Sequence, residues 1–391
     1  MTNFNLPDNT PVIVGVGDII DRRKVDGPDP LTLLGQSSEL ALYDTGVKNI
    51  IGYLDAIGVV RFSVDFSTAT NQSRFGYSNF PRSLAKKIGS KKELCELYSG
   101  MGGNAPQVLL EEISKKIHNN EIHCALISGG EVLQTMISKL KSGESLNWED
   151  SPGGKPEIIG INDEGFSKEE KKHFMDLPSN VYPIFANAIR ASKSQSSKEH
   201  LRECSELFSK FSKVASLNPY AWFQKFRTPE EIENISDSNR LVGFPYTKYL
   251  NSMIRVNMAS SLVLMSEKLC KKLKVPQNKK VYIHGSCVLN DIWNVSKRPT
   301  LDESPAIRKC GKEALSQAGI SLSEISFLDI YSCFPSAVQI AQKELSLDSN
   351  DKRSLTVTGG LPYFGGPGNA YTMFSTSEIV KKLRSNPNEY G

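Results

Sequence analysis

The 391-residue chain carries 47 Lys and Arg against 43 Asp and Glu, a formal net charge of +4 spread without a basic block, and is 39% hydrophobic. Without a concentrated basic face nucleic-acid binding is not expected, and with neither an 18-residue apolar run nor a signal-like start the expectation is a cytoplasmic protein with no membrane span. Seven scattered cysteines without a C-x-x-C pair, and no His/Cys cluster at ligand spacing, point to a reduced protein with no metal, and the length to two or three domains.

In chain order, "PVIVGVG" (11–17) reads as a buried strand and "PLTLLGQSSELALYDTG" (30–46) as a helix with Gly46 at its C-cap. "LDAIGVVRFSV" (54–64) and "HCALISGG" (123–130) are further strands, rich in β-branched residues. Between them "GMGGNAPQVLLEEI" (100–113) puts three glycines ahead of a helix over 104–120, whose Leu109, Ile113 and Ile117 recur every four residues. Such a helix start carries unpaired N–H groups and partial positive charge, so it suits an anion or a developing oxyanion. The plainer reading is a turn with Asn104 as an ordinary cap. Alternating strands and helices predict an α/β domain with a largely parallel sheet.

Residues 142 to about 250 are more polar and irregular, except for an amphipathic helix ending in "NPYAWF". They read as an insertion large enough to cover a cleft, its aromatics (Trp148, Tyr182, Trp222, Phe223) either small-core residues or ligand contacts. "VNMASSLVLMSEKLCKKL" (256–273) returns to a buried strand. A second run then mirrors the first: strand 280–289, helix 304–319, strand 324–334 and helix 368–384. "GNAPQVLLEEISKKI" (103–117) matches "GNAYTMFSTSEIVKKL" (368–383) with one insertion, so Gly-Asn-Ala opens a helix twice behind glycine-rich chain. Two copies of one unit are inferred. Paired helix ends across a domain interface would make a cleft with donors on both walls.

"NRLVGFPYTKYLNS" (239–252), "FLDIYSCFPSAVQIA" (327–341) and "TGGLPYFGGPGNAY" (358–371) together resemble the thiolase superfamily over nearly the whole chain, near the sterol-carrier type and proteins labelled acetyl-CoA acetyltransferases. The resemblance implies a thiolase-like α/β fold: two duplicated βαβαβ-type units in a layered α-β-α-β-α core, with a loop insertion in the first. The implied domains are 1–141 plus 251–275, the insertion 142–250, and a C-terminal unit 276–391 that looks short of its final strands. Coenzyme A or acyl-CoA is implied as substrate or ligand. A homodimer, or a partner chain completing the C-terminal sheet, is a further expectation.

Family thiolases use a nucleophilic Cys at the third-strand helix, a His or Asn in an H-D-C-F or N-E-A-F strand end, a His in a G-H-P loop and a Cys in a last turn. Here the nucleophile's place falls on or beside Asn104, Tyr331 stands for the first His in Tyr331-Ser332-Cys333-Phe334, and Gly366 for the second. The last turn would lie beyond Gly391. Cys95 and Cys333 are the nearest thiols, Cys95 reading as structural and Cys333 matching a family Cys that is not the acyl carrier. The five His lie outside every family motif.

The remaining candidates are Tyr331, Tyr363 and Tyr371 as acid or base, Gly103, Asn104, Gly366 and Asn369 around the thioester oxygen, and Trp222, Phe223 and Ser252 as substrate contacts. Three functions stay open: a C–C bond enzyme working on an acyl-CoA enolate without an acyl-enzyme, as in retro-aldol cleavage; a non-catalytic CoA-ester binding or scaffold protein; and a thiolase with an unrecognised thiol.

Overall fold

The first expected strand forms as β1 (Pro11–Ile20). The structure, a computed structural model that describes residues 6–63, 76–161, 165–348 and 351–391, continues through α1 (Pro30–Asp44), β2 (Ala56–Val59), α2 (Phe80–Lys87), β3 (Cys95–Ser99), α3 (Ala105–His118), β4 (Cys124–Val132), α4 (Leu133–Ser142) and β5 (Glu157–Ile159). Then come α5 (Lys168–Lys172), α6 (Pro178–Ser192), α7 (Ser197–Leu217), α8 (Pro229–Glu233), β6 (Leu241–Gly243) and β7 (Tyr246–Thr247). They are followed by β8 (Asn257–Ser266), α9 (Glu267–Leu273), β9 (Val281–Tyr282), α10 (Pro305–Ala318), α11 (Pro335–Glu344) and α12 (Tyr371–Ser385). Two compact units emerge, one from the described residues of 1–163, 255–284 and 367–390, the other from those of 164–254 and 285–366.

The first unit is built on a seven-stranded sheet in the order β5-β3-β2-β4-β8-β1-β9. Its β5-β3-β2-β4 half is parallel, and β8 pairs antiparallel with both β4 and β1, as β9 does with β1. Every residue of β4 and β8 is buried, the pattern of strands covered on both faces. Alternate side chains go to opposite layers: Val12, Val14, Val263 and Met265 pack in one cluster with Leu33 and Leu42 of α1, while Ile13, Leu262 and Leu264 join Leu109 and Ile113 of α3 and Val380 of α12 in the other. Charged groups then fix α12, Lys381 Nζ lying 2.6 Å from Asp18 and Arg384 2.6 Å from Asp44.

Helix limits follow the local signals. Asp29 accepts from the Thr32 N–H at the head of α1, Ser304 from Ile307 at the head of α10, and Gly319 stops α10 in the left-handed region. The expected strand 54–64 is shorter, Ala56–Val59, and Val64 lies outside the described residues.

The second unit is mainly helical: α6, α7, α10 and α11 with the two-stranded β6–β7 ribbon. Here the structure differs from the expected second copy. Of the strand expected over 280–289 only β9 forms, and it extends the first sheet rather than opening another. No strand forms at 324–334. Its Asp329 Oδ2 takes the N–H groups of Val357 (2.9 Å) and Thr358 (3.0 Å), and the Thr356 and Thr358 hydroxyls as well. A side chain thus meets donors that a neighbouring strand's carbonyls would take. The compact units also cut across the expected boundaries, because 367–390 packs with the N-terminal segment and 165–254 with 285–366.

Candidate functional site

In the first unit, chain leaving the carboxyl ends of parallel β2 and β3 converges with the 3₁₀ turn Gly368–Ala370 ahead of α12. Open α/β sheets take ligands at such strand ends. The two Gly-Asn-Ala segments meet here. Asn369, 7% exposed, accepts the Gly102 N–H through Oδ1 at 3.2 Å and donates Nδ2 to the Arg61 carbonyl at 2.8 Å. Around it Thr372 Oγ1 reaches the Gly103 carbonyl (3.4 Å) and Gln107 Nε2 reaches Thr376 Oγ1 (3.3 Å).

Position 368 demands glycine: φ is 53°, and a Cβ there would come within 2.5 Å of Glu131 Oε2. Glu131, fully buried at the end of β4, accepts the Ser63 N–H (3.0 Å) and hydroxyl (2.5 Å). Ser63 is thereby tied to the turn's neighbour.

Asn104, read from the sequence both as a plain cap and as an oxygen-binding candidate, stands at the N-cap position of α3. Its side chain makes no capping bond, it is exposed, and its carbonyl instead takes the N–H groups of Gln107 and Val108. Ala105 N–H goes to the Gly102 carbonyl, and Pro106 has none to give. The N–H groups of Gly103 and Asn104 meet no acceptor among the described residues. These two donors, at the positive end of a 14-residue helix, can receive a carbonyl oxygen or an oxyanion.

Asn369, an oxygen-binding candidate by sequence, has both ends of its amide engaged, which makes it the clamp of the loop rather than a donor to a ligand. Tyr371 is fully buried at the start of α12, a core residue of this unit.

The second unit holds the other candidates. Tyr331 precedes Ser332, whose Oγ accepts the Leu361 N–H at 3.2 Å, and Cys333, whose carbonyl accepts the Ser252 hydroxyl at 3.0 Å. Burial and the neighbouring Cys333 push the Tyr331 phenol well above its ordinary range, though the residue keeps part of its surface exposed. Burial pushes Cys333 itself up to about 12. Tyr182, which sequence reading left between core and ligand contact, stacks on Phe334 at 4.5 Å, and Cys333 and burial raise its phenol too.

The glycine-rich loop is internally spent. The Gly366 N–H donates to the Met253 carbonyl at 2.8 Å, so this candidate oxyanion donor is occupied. Tyr363 is 1% exposed, its ring edge-on to Phe208 of α7, and its hydroxyl has no partner among the described residues; the enclosure that raises its phenol places it in the core. Trp222 and Phe223 donate their N–H groups to the Phe364 (2.7 Å) and Tyr363 (3.0 Å) carbonyls, which leaves the Phe223 ring 36% exposed.

Burial raises Cys95, Cys124, Cys204 and Cys270, the last to about 12, opposite to what a reactive thiolate needs. Among the described residues no group of three His, Cys, Asp or Glu side chains could hold a metal, and no helix is long and apolar enough to cross a membrane. Sequence reading missed Arg61, Ser63 and Glu131. A charged residue closing the apolar run "AIGVVR", and another closing "ALISGGE", were the available signals.

The fold has counterparts among solved structures. A monomeric SCP2-thiolase like protein type 1 from Mycobacterium smegmatis is 30% identical, with a TM-score of 0.81 over 98% of this chain and 74% of that one. The chain belongs to the thiolase superfamily. An Ltp2-ChsH2(DUF35) aldolase (17% identity, 97% of this chain and 91% of that one, TM-score 0.64) and human mitochondrial 3-ketoacyl-CoA thiolase (16%, 97% and 93%, 0.65) share the fold. No family model and no curated protein sequence matches.

Proposed function

We propose that this thiolase-superfamily protein binds an acyl-CoA thioester at the head of α3 and acts on it through the enolate, without an acyl-enzyme. The supporting observation is the pair of open N–H groups on Gly103 and Asn104, on a loop clamped by Asn369, where the sequence carries an amide in place of a thiol. Two backbone donors aimed at an enolate oxygen contribute roughly 10²–10³ each in rate.

In a retro-aldol cleavage the β-hydroxyl loses its proton to solvent as its electrons form a carbonyl. The Cα–Cβ pair passes into the thioester enolate, whose carbon then takes a proton. Tyr331, in the second unit, is proposed separately as an acid. A phenol raised by burial stays protonated at neutral pH and suits an acid, not a base. The aldolase neighbour and a human 3-ketoacyl-CoA thiolase described in complex with CoA support the ligand class. A partner chain rests on the two-component name of that aldolase alone.

The second reading is CoA-ester binding without chemistry. It is favoured by the structural use already made of Asn369, Gly366, Tyr363 and Tyr371. Calorimetry with acetyl-CoA and a 3-hydroxyacyl-CoA, followed by assay for a released carbonyl product, separates the two. Binding with product supports the enzyme, binding without product the scaffold, and an acetyl adduct on any Cys by intact mass overturns both.

A further inference from the structure

Arg61 lies just past β2 in the first unit and is held at three points. Its N–H donates to Ser99 Oγ at 2.9 Å, its Nε–H to the Ser99 carbonyl at 3.1 Å, and its carbonyl accepts Asn369 Nδ2 at 2.8 Å. The guanidinium sits 4.7 Å over the Tyr98 ring. These contacts fix the stem and one edge of the planar fork. Its two terminal nitrogens have no acceptor, and no carboxylate pairs with it, among the described residues. A half-buried guanidinium held without a counter-ion is costly unless an anion comes from outside, and its fork matches a carboxylate or phosphate in two-point contact.

We propose that Arg61 receives a carboxylate on the acyl chain, so that the site takes a dicarboxylic acyl thioester. This rests on the reading of the α3 head as the thioester site. The Asn369 amide joins the Arg61 carbonyl to the Gly102 N–H, next to the open donors of Gly103 and Asn104. A thioester oxygen on those donors puts its own acyl substituent near Arg61, whereas the CoA phosphates are removed by the whole pantetheine arm.

Calorimetry on the full chain with succinyl-CoA, butyryl-CoA and CoA tests this, using wild type, Arg61→Gln and Arg61→Lys. Succinyl-CoA is expected to bind at least about tenfold more tightly than butyryl-CoA. Arg61→Gln removes that preference and leaves butyryl-CoA and CoA within about twofold of wild type, while Arg61→Lys, which keeps the charge but loses the fork, retains part of it. Equal affinity of wild type for both esters overturns the proposal. So does an Arg61→Gln loss shared by CoA itself, which puts the charge on the phosphates. If no CoA compound binds, the thioester reading fails by itself and glutarate decides the anion site: binding abolished by Arg61→Gln upholds it, and no binding overturns it.

Discussion

Asn369 and Gly102, 267 residues apart, are joined by a hydrogen bond of 3.2 Å, and the same Asn369 amide holds the Arg61 carbonyl from its other end. One buried side chain thus sets the spacing between the strand end of β2 and the head of α3.

Replacing Asn369 by Ala leaves a backbone donor and a backbone acceptor unmet in a part-buried place. The expected loss is about 1–3 kcal/mol in urea unfolding, with weaker CoA-ester binding than that loss alone explains. An Asn369→Ala protein of unchanged stability and affinity would show that the clamp does not shape the loop.

Gly368→Ala forces a Cβ into the left-handed region and against Glu131 Oε2 and the Ser63 side chain. The backbone term alone is about 1–2 kcal/mol, and the displaced carboxylate adds to it. A lowered melting temperature is expected, larger than for Gly52→Ala, where a new Cβ meets nothing within 4 Å.

Tyr331→Phe is expected to abolish turnover of a 3-hydroxyacyl-CoA while leaving its binding within about threefold, since one neutral hydrogen bond is removed. Because the phenol is raised by burial and acts in its protonated form, activity should hold as pH rises to 10. A basic limb below the ordinary phenol range would falsify the assignment.

Glu170 of α5 gives a pH signature. Burial would raise its carboxyl, but N–H groups of Ser296 and Ser167, with their hydroxyls, hold it down to about 2 against an ordinary 4.5. A depressed folded-state value means stability that is full above pH 4.5 and is lost as pH falls toward 2. Wild type should therefore exceed Glu170→Gln in stability at pH 7, with the gap closing between pH 4.5 and 2. A gap constant over that range would mean the carboxylate's charge is not what Ser296 and Ser167 stabilise.

The local part of this architecture was legible in the sequence. Periodic Leu109, Ile113 and Ile117 and the stop at Gly319 fix helices through contacts a few residues apart. The apolar runs that became β1, β4 and β8 announced themselves by composition. The motifs around Tyr331 and Gly366 carried the thiolase superfamily, which the relative at 30% identity shows.

Tertiary structure alone decided which polar groups are spent. Nothing local in "GNA" says that Asn104 is exposed while Asn369 is buried with both ends bonded, because the partners come from 267 and 308 residues away. Nothing in "PYFGGPGNAY" says that Tyr363 and Tyr371 are enclosed, since α7 and the packing of the first unit's core do that. Strand pairing is equally non-local: Val281–Tyr282 joined β1, and the Asp329 side chain took donors that a ladder would have used. Hydrogen bonds reach about 3 Å whatever the sequence separation, so the sequence could name the groups, and only the folded chain could show which of them, Arg61 among them, still have a bond to offer.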